Sequence, residues 1–544
     1  MATSFPIGVQ DFRELVRDGY VYVDKTLMIK RIIDTKAKVS LYTRPRRFGK
    51  TLNLSMIDYF FNIKYKDETD LFDGLLISEH PECFEHRSKY PVIRLDLSTI
   101  SCTSFDTFKT TFAEMIADMM TDFDYLEKED LSLREREICT RLSTGKESDG
   151  YMVKSVYNLS MILKRVHGTA PIIIFDEYDF CYHKSFQTPE YNKITGIMSE
   201  FLRLSLKSNT NLSFGIVSGI MRAAKEDIFS GLNSLDVYDI FNNRYDEFYG
   251  FTREEVALLI EKCGMPDILD DLKEWYDGYR FGSTDVYNPW SIMCCLQNGG
   301  DTSEYWVNSG SSEIIEDIII RNRGKGIADD ILSLISNPET VIESSILPSV
   351  TFRELLADNN NPELLKMNLH SLMVMSGYLK AIRDGDIYQL SIPNKEVLMS
   401  YDRMITRLFG FRRTNQSKLY SYLTSKNSES AEDELNRLFS PGSIRDEWGH
   451  NDYKHAIMIL FQYMGYDNVT ERESGDGFID IYVHPTSNQP AIIMEIKVTK
   501  TARNLQNMAE AALRQIEERD YASGRDAILC GISFNKKNCC VRIR

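Results

Sequence analysis

Short apolar runs alternate with longer amphipathic stretches along the N-terminal half of the chain. Residues 38–43 (KVSLYT), 91–97 (PVIRLDL), 171–175 (PIIIF) and 212–218 (LSFGIVS) read as strands buried on both faces. Residues 52–61, most of 104–168 and 190–206 carry helical spacing. Residues 20–25 (YVYVDK) alternate weakly before a helix that runs to Lys36. Buried strands separated by helices predict an α/β fold with a parallel sheet.

The pattern changes after residue 250. Thr252, with Glu255 three positions on, is a capping-box signal for a helix to Cys263. From there to about residue 430 the spacing is mainly helical. Residues 365–378 read as a helix, and 379–390 as a hairpin turning at Asp384-Gly385, a winged-helix-like ending. Residues 425–433 are polar, a linker or a helix start. Helices are then expected over 453–463 and 505–519, and strands over 478–484, 491–498 and 527–534. This predicts a P-loop-bearing α/β domain over 1–250, a helical, winged-helix-like region over 251–430, and a small α/β domain over 440–544. No internal repeat or low-complexity tract is present.

Composition narrows the class. The 544 residues exceed one ordinary core, and 43% apolar with 26% charged content fits globular domains and not long disorder. No apolar run reaches the roughly 18 residues that a membrane span needs, and the first ten residues lack a signal-peptide pattern. The ten cysteines lack zinc-site spacing, so buried, reduced thiols and a cytoplasmic setting are expected, or a nuclear one in a eukaryote. The formal charge of −16 opposes a whole-surface attraction to nucleic acid. It leaves room for a local basic groove.

The first chemical constellation is Arg44-Pro45-Arg46-Arg47-Phe48-Gly49-Lys50-Thr51, between a strand and a helix. It meets the end of the Walker A template, with Arg44 where the first glycine is asked for. Free amides at a helix start attract an anion, Gly49 admits a phosphate, Lys50 reaches the β- and γ-phosphates, and Thr51 offers a hydroxyl to magnesium. Arg44, Arg46, Arg47 and Phe48 complete the candidate nucleotide contacts. Asp176-Glu177, after four apolar residues, has the Walker B form. Asp176 is the second magnesium candidate, and Glu177 the group that orients water. Ser218 and Arg222 fit a γ-phosphate-sensing position. The alternative is a basic turn before an ordinary helix, with the acidic pair as a strand-end cap.

These residues resemble the AAA-ATPase-like family often found with a C-terminal PD-(D/E)XK nuclease-like domain. The likeness runs through Pro6-Ile7-Gly8 on to Phe12, Tyr22-Val23-Asp24-Lys25-Thr26, the 44–51 loop, Phe229-Ser230-Gly231-Leu232-Asn233 and Gly250-Phe251-Thr252. It continues through Trp275 to Gly282, Tyr287-Asn288-Pro289-Trp290, Gly377-Tyr378-Leu379 and Pro393 to Val397. The resemblance implies ATP binding in a fold related to AAA+ and STAND ATPases. It also makes arginine at position 44 the usual residue. The aromatic richness of 275–282 is expected to be a buried cluster packing a helical lid.

The second constellation is Asp480, then Glu495-Ile496-Lys497. Alternate strand residues share a face, so Glu495 and Lys497 point the same way, and a hairpin brings Asp480 to them. Two carboxylates and a lysine make a magnesium site with a cation beside the attacked phosphate. This is the PD-(D/E)XK arrangement, and Gln515 resembles the helix glutamine that several nuclease families add. Where relatives commonly have Gly-Arg-x-Asp, this chain has Gly477-Phe478-Ile479-Asp480, which removes a phosphate contact. An E-I-K on an edge strand with an acidic turn residue is the bland alternative.

ATP and magnesium are therefore the expected cofactors, DNA or RNA the expected partner, and a homo-oligomer is admitted. The expected function is an ATPase coupled to a magnesium-dependent nuclease-like domain. The alternative is a STAND-like nucleotide switch whose end domain does not cut.

Overall fold

The computed structural model describes residues 4–145, 149–222, 235–306, 340–350, 361–401, 418–439, 448–464, 468–474, 477–485, 490–522 and 526–544, with isolated positions between them. The 229–233 motif and the expected domain start at 440 lie outside these residues. The chain divides into two compact units. The first comprises Met1–Ser309, Ser344–Asn359 and Met367–Glu396, and the second Gly310–Glu343, Asn360–Lys366 and Val397–Arg544.

The expected buried strands form one sheet in the first unit. β1 (Val39–Thr43), β2 (Val92–Asp96), β3 (Ile172–Asp176), β4 (Gly215–Gly219) and β5 (Leu235–Tyr238) lie in the order β2-β3-β4-β1-β5, all parallel. β1, β3 and β4 are buried along their whole length, as strands covered on both faces must be. The register sets Tyr42 beside Ser218 and Asp96 beside Asp176, so the carboxyl ends of these strands finish at one edge. That edge is where open parallel sheets bind ligands. β4 starts at Gly215, later than the apolar run suggests, because the Asn209 side chain accepts the Asn211 N–H (3.0 Å) and holds a turn there. Residues 20–25 form no strand, and the helix after them is Leu27–Thr35.

α1 (Lys50–Phe61) follows β1 directly and is buried over most of its length. Gly49 caps it at φ 83°, a left-handed conformation that only glycine adopts without strain. The Thr252–Glu255 capping box is present on the helix Arg253–Lys262.

The 275–282 segment is not simply helical. The helix Leu269–Tyr276 ends, and β6 (Tyr279–Phe281) and β7 (Thr284–Val286) form a two-stranded hairpin. Its buried aromatics pack on the phosphate loop: the Phe48 ring meets Tyr279 at 5.0 Å and Phe281 at 5.1 Å. The helix Pro289–Gln297 comes next, with Asn288 capping it. Further on, the helix Pro362–Ser376 precedes an antiparallel hairpin of Lys380–Asp384 and Ile387–Ser391, as the sequence pattern suggests.

In the second unit, β8 (Asn468–Ser474), β9 (Gly477–Val483), β10 (Ala491–Val498), β11 (Ala527–Asn535) and β12 (Asn538–Ile543) form a sheet in that order. Only β10 and β11 run parallel. α2 (His450–Tyr463) and α3 (Leu505–Glu518) pack on it. Gly531 lets α3 approach β11, since a Cβ there would stand 2.3 Å from the Ala509 carbonyl oxygen. β8 and β12 escaped the sequence reading because neither carries a long apolar run. The polar 425–433 stretch leads into a helix, Ser428–Phe439.

All ten cysteines are free, and eight are buried. Among the described residues no helix is long and apolar enough to cross a membrane.

Candidate functional sites

The strand order places β4 between β1 and β3, so three strand ends converge on one carboxylate. Asp176 accepts the Thr51 hydroxyl at 2.7 Å, the Ser218 hydroxyl, and the Glu177 N–H at 2.9 Å. Lys50, itself buried, donates to the carbonyls of Arg44 (3.2 Å) and Pro45 (3.1 Å), and stands 3.8 Å from Glu177. Glu177 sits at φ 47°, an uncommon conformation for a side-chain-bearing residue. Burial raises the pKa of its carboxyl, and Lys50 opposes that rise.

Lys50, Thr51 and Glu177 border a cavity of about 580 Å³, the volume of a small-molecule site, while Asp176 and Ser218 are not among its lining residues. Its lining includes Arg46, Gly49, Lys50, Thr51 and Glu177. It also includes the apolar side chains of Ile7, Val9, Val23, Phe251, Trp290 and Met293. All of these apolar residues but Met293 fall in motifs that carried the family likeness but no chemical role on sequence alone.

Arg44 does not reach the cavity. Its guanidinium is fully buried and donates to the carbonyls of Thr43 and Tyr238 (2.8 Å each) and Tyr245 (3.1 Å). It lies between the rings of Tyr249 (4.9 Å) and Phe281 (5.0 Å). Burial pulls its pKa down to about 10. Arg44 thus fastens the loop to the sheet and the aromatic hairpin, which corrects its assignment as a nucleotide contact through its side chain. Arg44→Gly, which would restore the Walker glycine, is expected to destabilise the protein by about 3 kcal/mol by leaving buried carbonyls unpaired. Denaturant unfolding checks this, and an unchanged midpoint rejects it.

Arg222 is not among the cavity-lining residues; its carbonyl takes the Val350 N–H at 3.3 Å. Arg47 lies 4.1 Å over the Trp290 ring and donates to the Tyr305 carbonyl (3.3 Å). The Arg46 carbonyl takes the Trp306 indole N–H at 3.2 Å. Glu396, wholly buried, holds this segment: it accepts the N–H groups of Tyr305 and Trp306 (2.7 Å each) and the Ser291 hydroxyl (2.8 Å).

Burial pushes the Glu396 carboxyl from its ordinary 4.5 up to about 7. The folded chain therefore holds this proton more tightly than the unfolded chain. The resulting stability is complete below pH 4.5 and is lost as pH rises through about 7. Relative to Glu396→Gln, the wild type is expected to lose melting temperature between pH 5 and 8. Glu396→Ala, which strands two backbone donors, is expected to cost about 2–4 kcal/mol. Parallel melting curves for the three proteins provide the check; a constant difference between wild type and Gln variant rejects the pH effect.

In the second unit the antiparallel β9–β10 pair brings Asp480, Glu495 and Lys497 together as the spacing suggests. Asp480 accepts the Ile496 N–H at 2.8 Å. Lys497 donates to Glu495 (3.3 Å) and to the Gln515 side-chain carbonyl, and the Gln515 amide donates back to Glu495. Burial, reinforced by Asp480, pushes Glu495 up to about 7, against the pull of Lys497. Glu495 Oε2 is buried with no hydrogen-bond partner among the described residues. An orphaned carboxylate oxygen beside a second carboxylate fits a divalent cation that keeps waters at its other positions. Among the described residues no three His, Cys, Asp or Glu side chains converge as a metal cage.

His450 was missed on sequence. Its Nε2 lies 2.9 Å from Asp480, and this contact raises its pKa. It belongs to the first turn of α2, three residues before the helix expected from apolar spacing.

A parallel sheet with a lysine-bearing loop at its carboxyl edge and a carboxylate pair opposite defines a P-loop α/β domain of AAA-like type. Residues 6–229 match the family described as a predicted AAA-ATPase, and residues 449–542 match the PD-(D/E)XK nuclease superfamily. The chain carries an AAA-ATPase-like domain followed by a C-terminal PD-(D/E)XK nuclease superfamily domain. It is 24% identical over 98% of its length to an uncharacterized protein from the vnfD 5′ region of Azotobacter chroococcum, covering 96% of that protein. Among solved structures, a Walker-type ATPase of Pyrococcus abyssi superposes with a TM-score of 0.40 at 14% identity, over 70% of this chain and 95% of that one.

Proposed function

We propose that the first unit binds and hydrolyses ATP with magnesium, and that the second is a magnesium-dependent nuclease under its control. The observation that carries the ATPase reading is the convergence of Lys50, Thr51 and Glu177 on the cavity, with Asp176 bonded to Thr51 beside it. Thr51 and Asp176 would hold magnesium, which screens the phosphate charge. Lys50 leaves its loop carbonyls to neutralise charge on the β- and γ-phosphates. Glu177 orients the attacking water, Ser218 steadies Asp176, and the apolar side chains of the lining take the base.

In the second unit, Asp480 and Glu495 would hold a magnesium ion that polarises a phosphodiester. Lys497 stabilises charge on the attacked phosphate and Gln515 positions Lys497 and Glu495. The competing reading is a nucleotide switch whose end domain does not cut; the exchange of an arginine for Phe478 favours it. Magnesium-dependent ATP turnover in wild type and Lys50→Ala, with and without DNA or RNA, tests the first half. Release of labelled fragments by wild type and Lys497→Ala tests the second.

A further inference from the structure

The β9–β10 ladder stops short of the site. Its pairs run from Val483 with Ile492 to Ile481 with Met494. At the next position the Asp480 side chain, not a strand carbonyl, takes the Ile496 N–H. The two strands part there, and the opening holds the carboxylates. Counted on in the same register, Asp480 stands opposite Glu495, and Phe478 opposite Lys497. Phe478 and Asp480, two residues apart on one strand, face the same side of the sheet.

Phe478 is 61% exposed, the only phenylalanine or tryptophan among the exposed large apolar side chains of the described residues. One exposed apolar residue carries no message by itself. Its surroundings do. Gly477, beside it, has no Cβ, and one placed there would lie 2.9 Å from both Arg519 Nη1 and the Tyr521 hydroxyl. Gly477 thus seats the back of the strand against Arg519 and Tyr521, and the other face carries Phe478 with Lys497 opposite it in the register. The net −16 lies outside this domain: residues 448–544 hold twelve Lys and Arg against twelve Asp and Glu.

An exposed ring, a lysine opposite it in the register and a carboxylate pair on the same face form the combination that grips an unpaired nucleotide. A base in a duplex offers no free face to a protruding ring, whereas a single strand does. We infer that Phe478 is a base-stacking platform that makes single-stranded nucleic acid the preferred ligand of this domain, with the scissile phosphate led toward Asp480, Glu495 and Lys497. This rests on the nuclease-like reading for the fate of the strand, but not for its binding.

The test uses the full chain with labelled DNA and RNA oligonucleotides, single-stranded and duplexed, in calcium to suppress cutting. Fluorescence anisotropy should show tighter binding of single strands by the wild type. Phe478→Ala should weaken single-strand binding roughly tenfold and leave duplex binding unchanged, while Phe478→Trp retains it. Quenching of 2-aminopurine placed in the oligonucleotide should disappear in the Ala variant and persist in the Trp variant. The inference is overturned if the Ala variant binds single strands like wild type, if the Trp variant fails alongside it, or if wild type prefers duplex or binds neither form. Cleavage in magnesium separates the two claims. Binding that depends on Phe478 without any cutting sinks the nuclease reading alone, and cutting that ignores Phe478 sinks the stacking platform alone.

Discussion

Lys50→Ala is expected to lower magnesium-dependent ATP turnover by roughly 10²–10³-fold without unfolding the protein. In the present geometry the ammonium serves three oxygens, those of Arg44, Pro45 and Glu177. Each is an oxygen it can exchange for a phosphate oxygen as a triphosphate enters. Alanine removes the cation that faces the developing charge. It also leaves Glu177 buried with its principal counter-charge gone, so the carboxyl that must orient water is held even higher. Phosphate release and nucleotide binding, measured together with a melting curve, decide the matter. Turnover within a factor of three of wild type would remove the ATPase reading.

Lys497→Ala is expected to lower nucleic-acid cleavage by a similar 10²–10³-fold and to leave ATP turnover unchanged. Lys497 links Glu495 and Gln515 across a strand and a helix. Its loss removes a cation directly bonded to a buried carboxylate that burial and Asp480 already push up to about 7. It also frees Gln515, whose amide and carbonyl are fixed by the same pair of residues. Fragment release from labelled strands is the readout, with ATP turnover as the internal control. A wild type that cuts neither DNA nor RNA in magnesium or manganese would leave the nucleotide switch as the reading.

The two sites were legible to different depths. Gly49-Lys50-Thr51 and Asp176-Glu177 were readable because each set is contiguous and its strand–loop–helix context follows from local pattern. The destination of Arg44 was not, because its partners at Tyr238, Tyr245, Tyr249 and Phe281 lie far along the chain. The apolar lining of the cavity was hidden for the same reason: Ile7 and Trp290 come to one cavity only in the fold. Glu396 reads as one acid in a polar tetrapeptide, and nothing local says that it holds residues 305 and 306. In the second unit the spacing of Asp480, Glu495 and Lys497 carried through, since strand alternation fixes which side chains share a face. His450 has no spacing partner, and it falls in a helical turn that apolar periodicity does not reach.

The ten unpaired thiols have a bearing on how this protein fails. While the cores are closed, eight of them are buried away from oxidants in solution. Once heat or denaturant opens either unit, adjacent sulfurs such as Cys294 with Cys295 and Cys539 with Cys540 become available together, and scrambled crosslinks trap the open chain. In air, loss of structure is then a one-way event whose onset follows the heating rate, and a reductant acts as a preservative of reversibility.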